Sequence, residues 1–207
     1  MNPISSSTVI QPLFTVASQA NRHPSTDVLR RASQGSRAIG AAYFSLFGSV
    51  WLLFAYHLAH WRGLLPLAVV LAVGLSLFLA AIGVASKRRD AMRAVRRTPE
   101  RRRTLRWFRA IHAAEWIATV AAVFLLAEVD LSVWIAPAVM LIVGLHLLPL
   151  ARIFRYRPHL VTGAILIVAG LLYPFVSSEG PGSPSGCLVA GATLWLSALW
   201  SLRASAT

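Results

Sequence analysis

The chain has 207 residues, of which 57% are hydrophobic and only 13% charged, and its mean hydropathy is +0.64. That composition excludes an ordinary soluble domain and points to a multi-span membrane protein. The net charge of +13 would suggest nucleic acid in a soluble protein. Here the basic residues sit beside apolar segments, where they orient spans and attract anionic headgroups, so no nucleic-acid partner is expected.

Residues 1–36 are polar and Ser-rich, without an apolar run long enough for a signal-peptide core, and read as a disordered cytoplasmic tail. Six spans follow, at about 38–56, 63–86, 107–127, 131–151, 160–176 and 186–202, in a transmembrane domain covering 37–203. The first is nineteen residues long, about 29 Å as a helix, enough for the hydrocarbon core. Pro66 falls in the first turn of the second, where a missing N–H costs little.

Lys87–Arg109 carries eleven basic and two acidic residues and cannot cross a bilayer. Thr98, Pro99 and Glu100 read as N-cap, N1 and N2 of a helix that enters the membrane near Trp107, making 87–106 a basic helical hairpin. Within it Lys87, Arg88, Arg89, Arg101, Arg102 and Arg103 are the candidate anionic-lipid contacts. Only Glu128, Val129 and Asp130 separate spans three and four, which are therefore antiparallel neighbours. Arg152, Arg155 and Arg157 form the next basic turn, and the Gly, Pro and Ser residues of 177–186 form the last loop.

An all-α bundle with both termini cytoplasmic places nineteen of the twenty Lys and Arg residues on one side; Arg62 alone falls opposite. This is the partition expected of a multi-pass protein of the cytoplasmic membrane. Two small-residue stripes, Ala68, Ala72, Ser76 and Ala80 in span two and Ala110, Ala114, Ala118 and Ala122 in span three, are expected to mark helix contacts. The expected partners are the bilayer and its anionic lipids, with a second copy of the chain left open.

Glu115 is the one acidic residue inside a span, eight residues beyond Trp107 and so about 12 Å deep. A charge there costs of the order of 2.5 to 3.5 kcal/mol, so a partner or protonation is expected. Its own helix offers His112 at i−3 and Thr119 at i+4. Counting from Asp130, Glu115 lies fifteen residues back and His146 sixteen forward, level within about one 1.5 Å rise. The cluster reads either as a relay or polar substrate site in a small transporter, or as a neutral hydrogen-bonded tie between helices. Pro149 removes the donor for the Leu145 carbonyl and is a candidate bend.

His57 and His60, at i and i+3 near the outer end of span one, are weak metal-ligand candidates. Axial ligation of a haem by His112 and His146 is a third reading, although no cofactor is expected. No nucleophile elbow, phosphate loop or HExxH motif is present, which leaves an enzyme without support. A non-catalytic role, acting through lipid or a partner at the basic hairpin, is the alternative to transport.

The stretch Gly144–Phe154, GLHLLPLARIF, resembles a group of small bacterial integral membrane proteins with a G-L-H-x-x-P-L-A-x-x-F stretch in a late span. The resemblance implies that His146 and Pro149 belong to a shared pattern, and it brings no activity with it.

Overall fold

The structure is a computed structural model and describes residues 25–96 and 99–206, without the side chains of 96, 99–101 and 206. Among the described residues it is all-helical, with seven α-helices: α1 (Thr26–Leu58), α2 (Leu64–Lys87), α3 (Arg89–Arg96), α4 (Pro99–Glu128), α5 (Ile135–Phe154), α6 (Arg157–Val176) and α7 (Pro184–Ala206). All but the short α3 are long and apolar enough to cross a membrane. Single 3₁₀ turns, Ser132–Trp134 and Gly180–Gly182, precede α5 and α7.

The last part of the stretch expected as a disordered tail, 1–36, is helix instead. Ser25 caps α1 by accepting from the Val28 amide, and Asp27 complements the positive end of the helix. Residues 26–36 are therefore helix, and Ala32, Gln34 and Gly35 are buried. Their cover includes α3: a Cβ on Gly35 would lie 2.7 Å from Met92 Sδ. Residues 1–24 and Thr98, with its expected capping role, lie outside the described residues.

With 33 residues in α1 and 30 in α4, these helices are about 50 and 45 Å long and exceed the thickness of a hydrocarbon core. Both extend at the end that carries the basic hairpin. Arg37 joins other elements at that end, donating to the Ala204 carbonyl of α7 at 3.2 Å and covering the Tyr156 ring between α5 and α6 at 5.2 Å. The N-terminal part of α1, the α5–α6 turn and the end of α7 thus share one end.

The spans pack in the order α2, α1, α7, α6, α5, α4, with α7 also reaching α2 and α5. Helices in lipid gain nothing from mutual hydrophobicity, so close approach decides which faces meet. α1 meets α7 where a Cβ on Gly191 would come within 2.9 Å of the Gly48 carbonyl. α5 meets α6 where a Cβ on Gly144 would lie 2.8 Å from the Gly163 carbonyl. Trp195 of α7 locks the first crossing by donating Nε1–H to Ser45 O and Ser49 Oγ, both at 3.3 Å. Thr162 and Ser197 hydrogen-bond across the buried α6–α7 contact.

The two alanine stripes are not the contacts within this chain. Ala68, Ala72, Ser76 and Ala80 are exposed, and α2 instead buries Gly74, Leu77, Ala81 and Ala85. Ala110, Ala114 and Ala118 are exposed as well. The half-buried face of α4 runs through Phe108, Ile111, His112, Glu115, Thr119, Ala122 and Leu126. A helix rich in alanine offers several small faces; Gly74, which sits against Ser49, allows a nearer approach than any of them.

Three hairpins close on non-glycine residues with positive φ: His60 at 48°, Asp130 at 57° and Arg155 at 47°. Each sits just past a helix end, where a left-handed residue turns the chain back and supplies donors to the last carbonyls. At Asp130 the following amide, Leu131 N–H, donates to Leu126 O at 2.8 Å. The same geometry corrects the reading of His57 and His60: α1 stops at Leu58, so His60 leaves the helix and does not share its face.

If the glycine crossings set the packing, Gly191→Val should destabilise the protein by roughly 1 to 3 kcal/mol through overpacking against Leu52 and the Gly48 backbone. Ala114→Val, on an exposed face, should change stability by less than about 0.5 kcal/mol. Unfolding of both variants in mixed micelles checks the contrast; equal losses would contradict it.

Candidate functional site: a Glu/His cluster between α4 and α5

Glu115 projects from the packed face of α4, and His112 precedes it by one turn. The tight turn at Asp130 brings α5 back beside α4, at a register that sets His146 opposite them. His112 Nδ1 lies 2.8 Å from Glu115 Oε2, and His146 Nε2 lies 3.4 Å from the same oxygen. The side chains of Glu115 and His146 are each 13% exposed and that of His112 35%. The site therefore opens on the flank of the bundle rather than into an enclosed core.

Distance and direction disagree at the carboxylate. Oε2 is buried and close to two imidazole nitrogens, yet it receives no hydrogen bond of acceptable geometry from either. His146 Nδ1 is likewise buried without a hydrogen-bond partner. His112 is held on its far side, where Trp116 Nε1–H donates to His112 Nε2 at 3.2 Å. Indole nitrogen can only donate, so His112 Nε2 must accept and a neutral ring carries its proton on Nδ1. Phe108 stacks on the His112 ring, with centroids 5.7 Å apart and planes 10° from parallel.

Thr119 is half-buried one turn further along the same face, but the near neighbours of the carboxylate are the two imidazoles. α5 passes through Pro149 without interruption to Phe154. His112 and His146, the pair considered as axial haem ligands, have ring centroids 6.3 Å apart with the Glu115 oxygen close to both. Among the described residues, His57 and His60 join no third ligand; the one group of metal-ligand type is His112, Glu115 and His146, whose ligand atoms lie within 4.8 Å of one another.

A second polar group lies toward the basic end and is not apparent from sequence spacing. His159 packs edge-on against Phe44, Phe154 and Tyr156, at centroid distances of 5.3, 6.3 and 5.1 Å. Tyr156 Oη, His159 Nδ1 and Ser201 Oγ are buried without hydrogen-bond partners. Burial pushes the Tyr156 phenol above its usual range, while the charge of Arg37 acts in the opposite sense. These residues come from four helices and a turn, so no local motif announces them. The candidate lipid contacts Lys87, Arg89, Arg102 and Arg103 are exposed, Arg88 is half-buried, and the Arg101 side chain lies outside the described residues.

Comparison of the chain with protein-family models, with curated proteins and with solved structures finds no match.

The pairing across α4 and α5 predicts a specific pattern of stabilities. Glu115→Gln should cost little, because the amide keeps polar contact with the imidazoles, whereas Glu115→Ala should cost about 1 to 2 kcal/mol. A double-mutant cycle of Glu115→Ala with His146→Ala should give a coupling above roughly 0.3 kcal/mol, the level at which independent sites become indistinguishable from coupled ones. A smaller coupling would mean that the two side chains do not interact.

Proposed function

We propose that the chain is a small transporter or permease-like protein of the cytoplasmic membrane, with Glu115, His112 and His146 forming the polar step of its path. One observation carries this reading: the one acid within the apolar stretch of a span lies beside two imidazoles, supplied by two helices. Ionisable groups at that depth are costly, and their usual justification is an ion or polar solute that they meet. The opening of the cluster on the flank, with His112 about one-third exposed, gives such a species a way in.

The orientation proposed with this function keeps both termini and the basic hairpin in the cytoplasm. The gathering of Arg37, the α5–α6 turn and the α7 terminus at one end supports it, because these segments hold most of the charge outside the hairpin. Reporter domains fused after residue 156 and at the C-terminus should read cytoplasmic, and those after Glu128 or within 178–184 external. A cytoplasmic signal after Glu128 would invert the assignment.

Transport itself is tested in vesicles containing the purified protein and an entrapped pH dye, with a diffusion potential imposed to drive coupled uptake. The wild-type chain should give a protein-dependent signal. Glu115→Gln should abolish it while leaving helicity and thermal stability intact, since the path needs a carboxylate and the fold does not. If Glu115→Gln leaves the signal unchanged, the cluster is a structural tie.

A second reading, action through anionic lipid or a partner, is favoured by the exposed Lys87, Arg89, Arg93, Arg102, Arg103 and Arg106 at the basic end. Near an anionic surface such residues each contribute about 1 kcal/mol of attraction, diminishing beyond a Debye length. This attraction is compatible with transport and would hold the hairpin against the headgroups.

A further inference from the structure

We infer that His112, Glu115 and His146 bind one divalent transition-metal ion of the zinc or iron(II) class. The inference rests on the same cluster as the transport reading and names what that cluster holds. Two imidazoles and one carboxylate form a ligand set used by zinc sites with an open position and by facial-triad iron sites. An ion with bonds of 2.0 to 2.1 Å at tetrahedral angles sets neighbouring ligand atoms about 3.3 Å apart. Here Oε2 lies 2.8 Å from His112 Nδ1 and 3.4 Å from His146 Nε2, and all three ligand atoms fall within 4.8 Å of one another.

The angular misfit favours a ligand shell over a hydrogen-bonded tie. Nitrogens this close to a buried carboxylate oxygen would donate to it if the arrangement served only to pair them, yet Oε2 has no hydrogen bond of acceptable geometry. Three ligand-type atoms gathered within 4.8 Å of one another are what a cation needs. Three ligands leave at least one position for water or a solute, and the partly exposed His112 flank is where that position opens.

Trp116 makes the inference specific at the atomic level. Ligation through His112 Nδ1 moves the ring proton to Nε2, which then faces the indole N–H, donor against donor. Trp116 is half-exposed and can turn aside, so loading the site should change its fluorescence. The basic hairpin repels cations, so the ion should bind faster at higher ionic strength.

The test uses the full-length protein in detergent, stripped with a chelator and then equilibrated with Zn²⁺ or Co²⁺. One ion per chain should be retained by elemental analysis, and Co²⁺ should show absorption bands of nitrogen and oxygen coordination. Glu115→Gln and His146→Ala should each weaken binding by more than about a hundredfold, beyond the roughly 10- to 100-fold loss expected of an outer partner. The double variant His57→Ala/His60→Ala should bind as the wild type does. Should His146→Ala fail to fold, the more exposed His112 provides the same test as His112→Gln. Trp116→Phe should retain binding and lose most of the fluorescence response. Absent or substoichiometric binding, equal affinity in wild type and Glu115→Gln, or an undiminished response in Trp116→Phe would each overturn the assignment. Binding without flux in the dye-loaded vesicles leaves this site standing and removes the transport reading; flux without stoichiometric binding does the reverse.

Discussion

The arrangement of this protein depends on how closely α1 and α7 can approach at Gly48 and Gly191. A bilayer supplies no hydrophobic force between helices, so association relies on dispersion contacts and polar ties that act only at short range. Removing two Cβ atoms at one crossing brings the backbones together and lets Trp195 reach Ser45 and Ser49 from the facing helix. The other helices add outward from that pair: α2 lies beside α1, and α6 beside α7. A similar crossing at Gly144 and Gly163 attaches α5 to α6.

α4 stands at the end of this row and has the least to hold it. Among the spans its main contact is α5, and its opposite face carries exposed Trp107, Ile117, Val120 and Phe124. Glu115 therefore occupies a strategic position, as the polar member of a contact that has no glycine crossing among its half-buried residues. A cation held by this cluster would join the outlying span to α5. Occupancy of the site and position of α4 are physically linked for that reason, and a ligand that binds the cluster also stabilises the packing of this helix.

The basic end has a different physics. α1 and α4 extend past the membrane-spanning length, and α3 packs against the extension of α1 near Gly35. Arg37 lies inside this assembly, covering Tyr156 and donating to the end of α7, while most cations of the hairpin remain exposed. One arginine thus ties together elements distant in sequence, and the others are available to an anionic surface.

By itself the sequence determined the class, the number of spans and their approximate limits. Twenty-residue apolar runs and clustered charge are local properties that solvation in a bilayer reads directly. It also determined the register of Glu115 against His146, because a three-residue link leaves two antiparallel helices little freedom to slide. Only the tertiary structure decided which way each helix turns about its own axis. The alanine stripes failed as contact markers because several faces of these helices are small, and the choice among them depends on glycines in partner helices far along the chain. The helical start at Thr26 was hidden because its polar face is covered by α3 rather than by lipid. His60 left its helix through a left-handed turn that residue type does not announce, and His159 met Phe44, Phe154 and Tyr156 only after four separate segments had packed. Such rotations and long-range meetings are set by the closest approach of whole surfaces, which no local pattern in the chain contains.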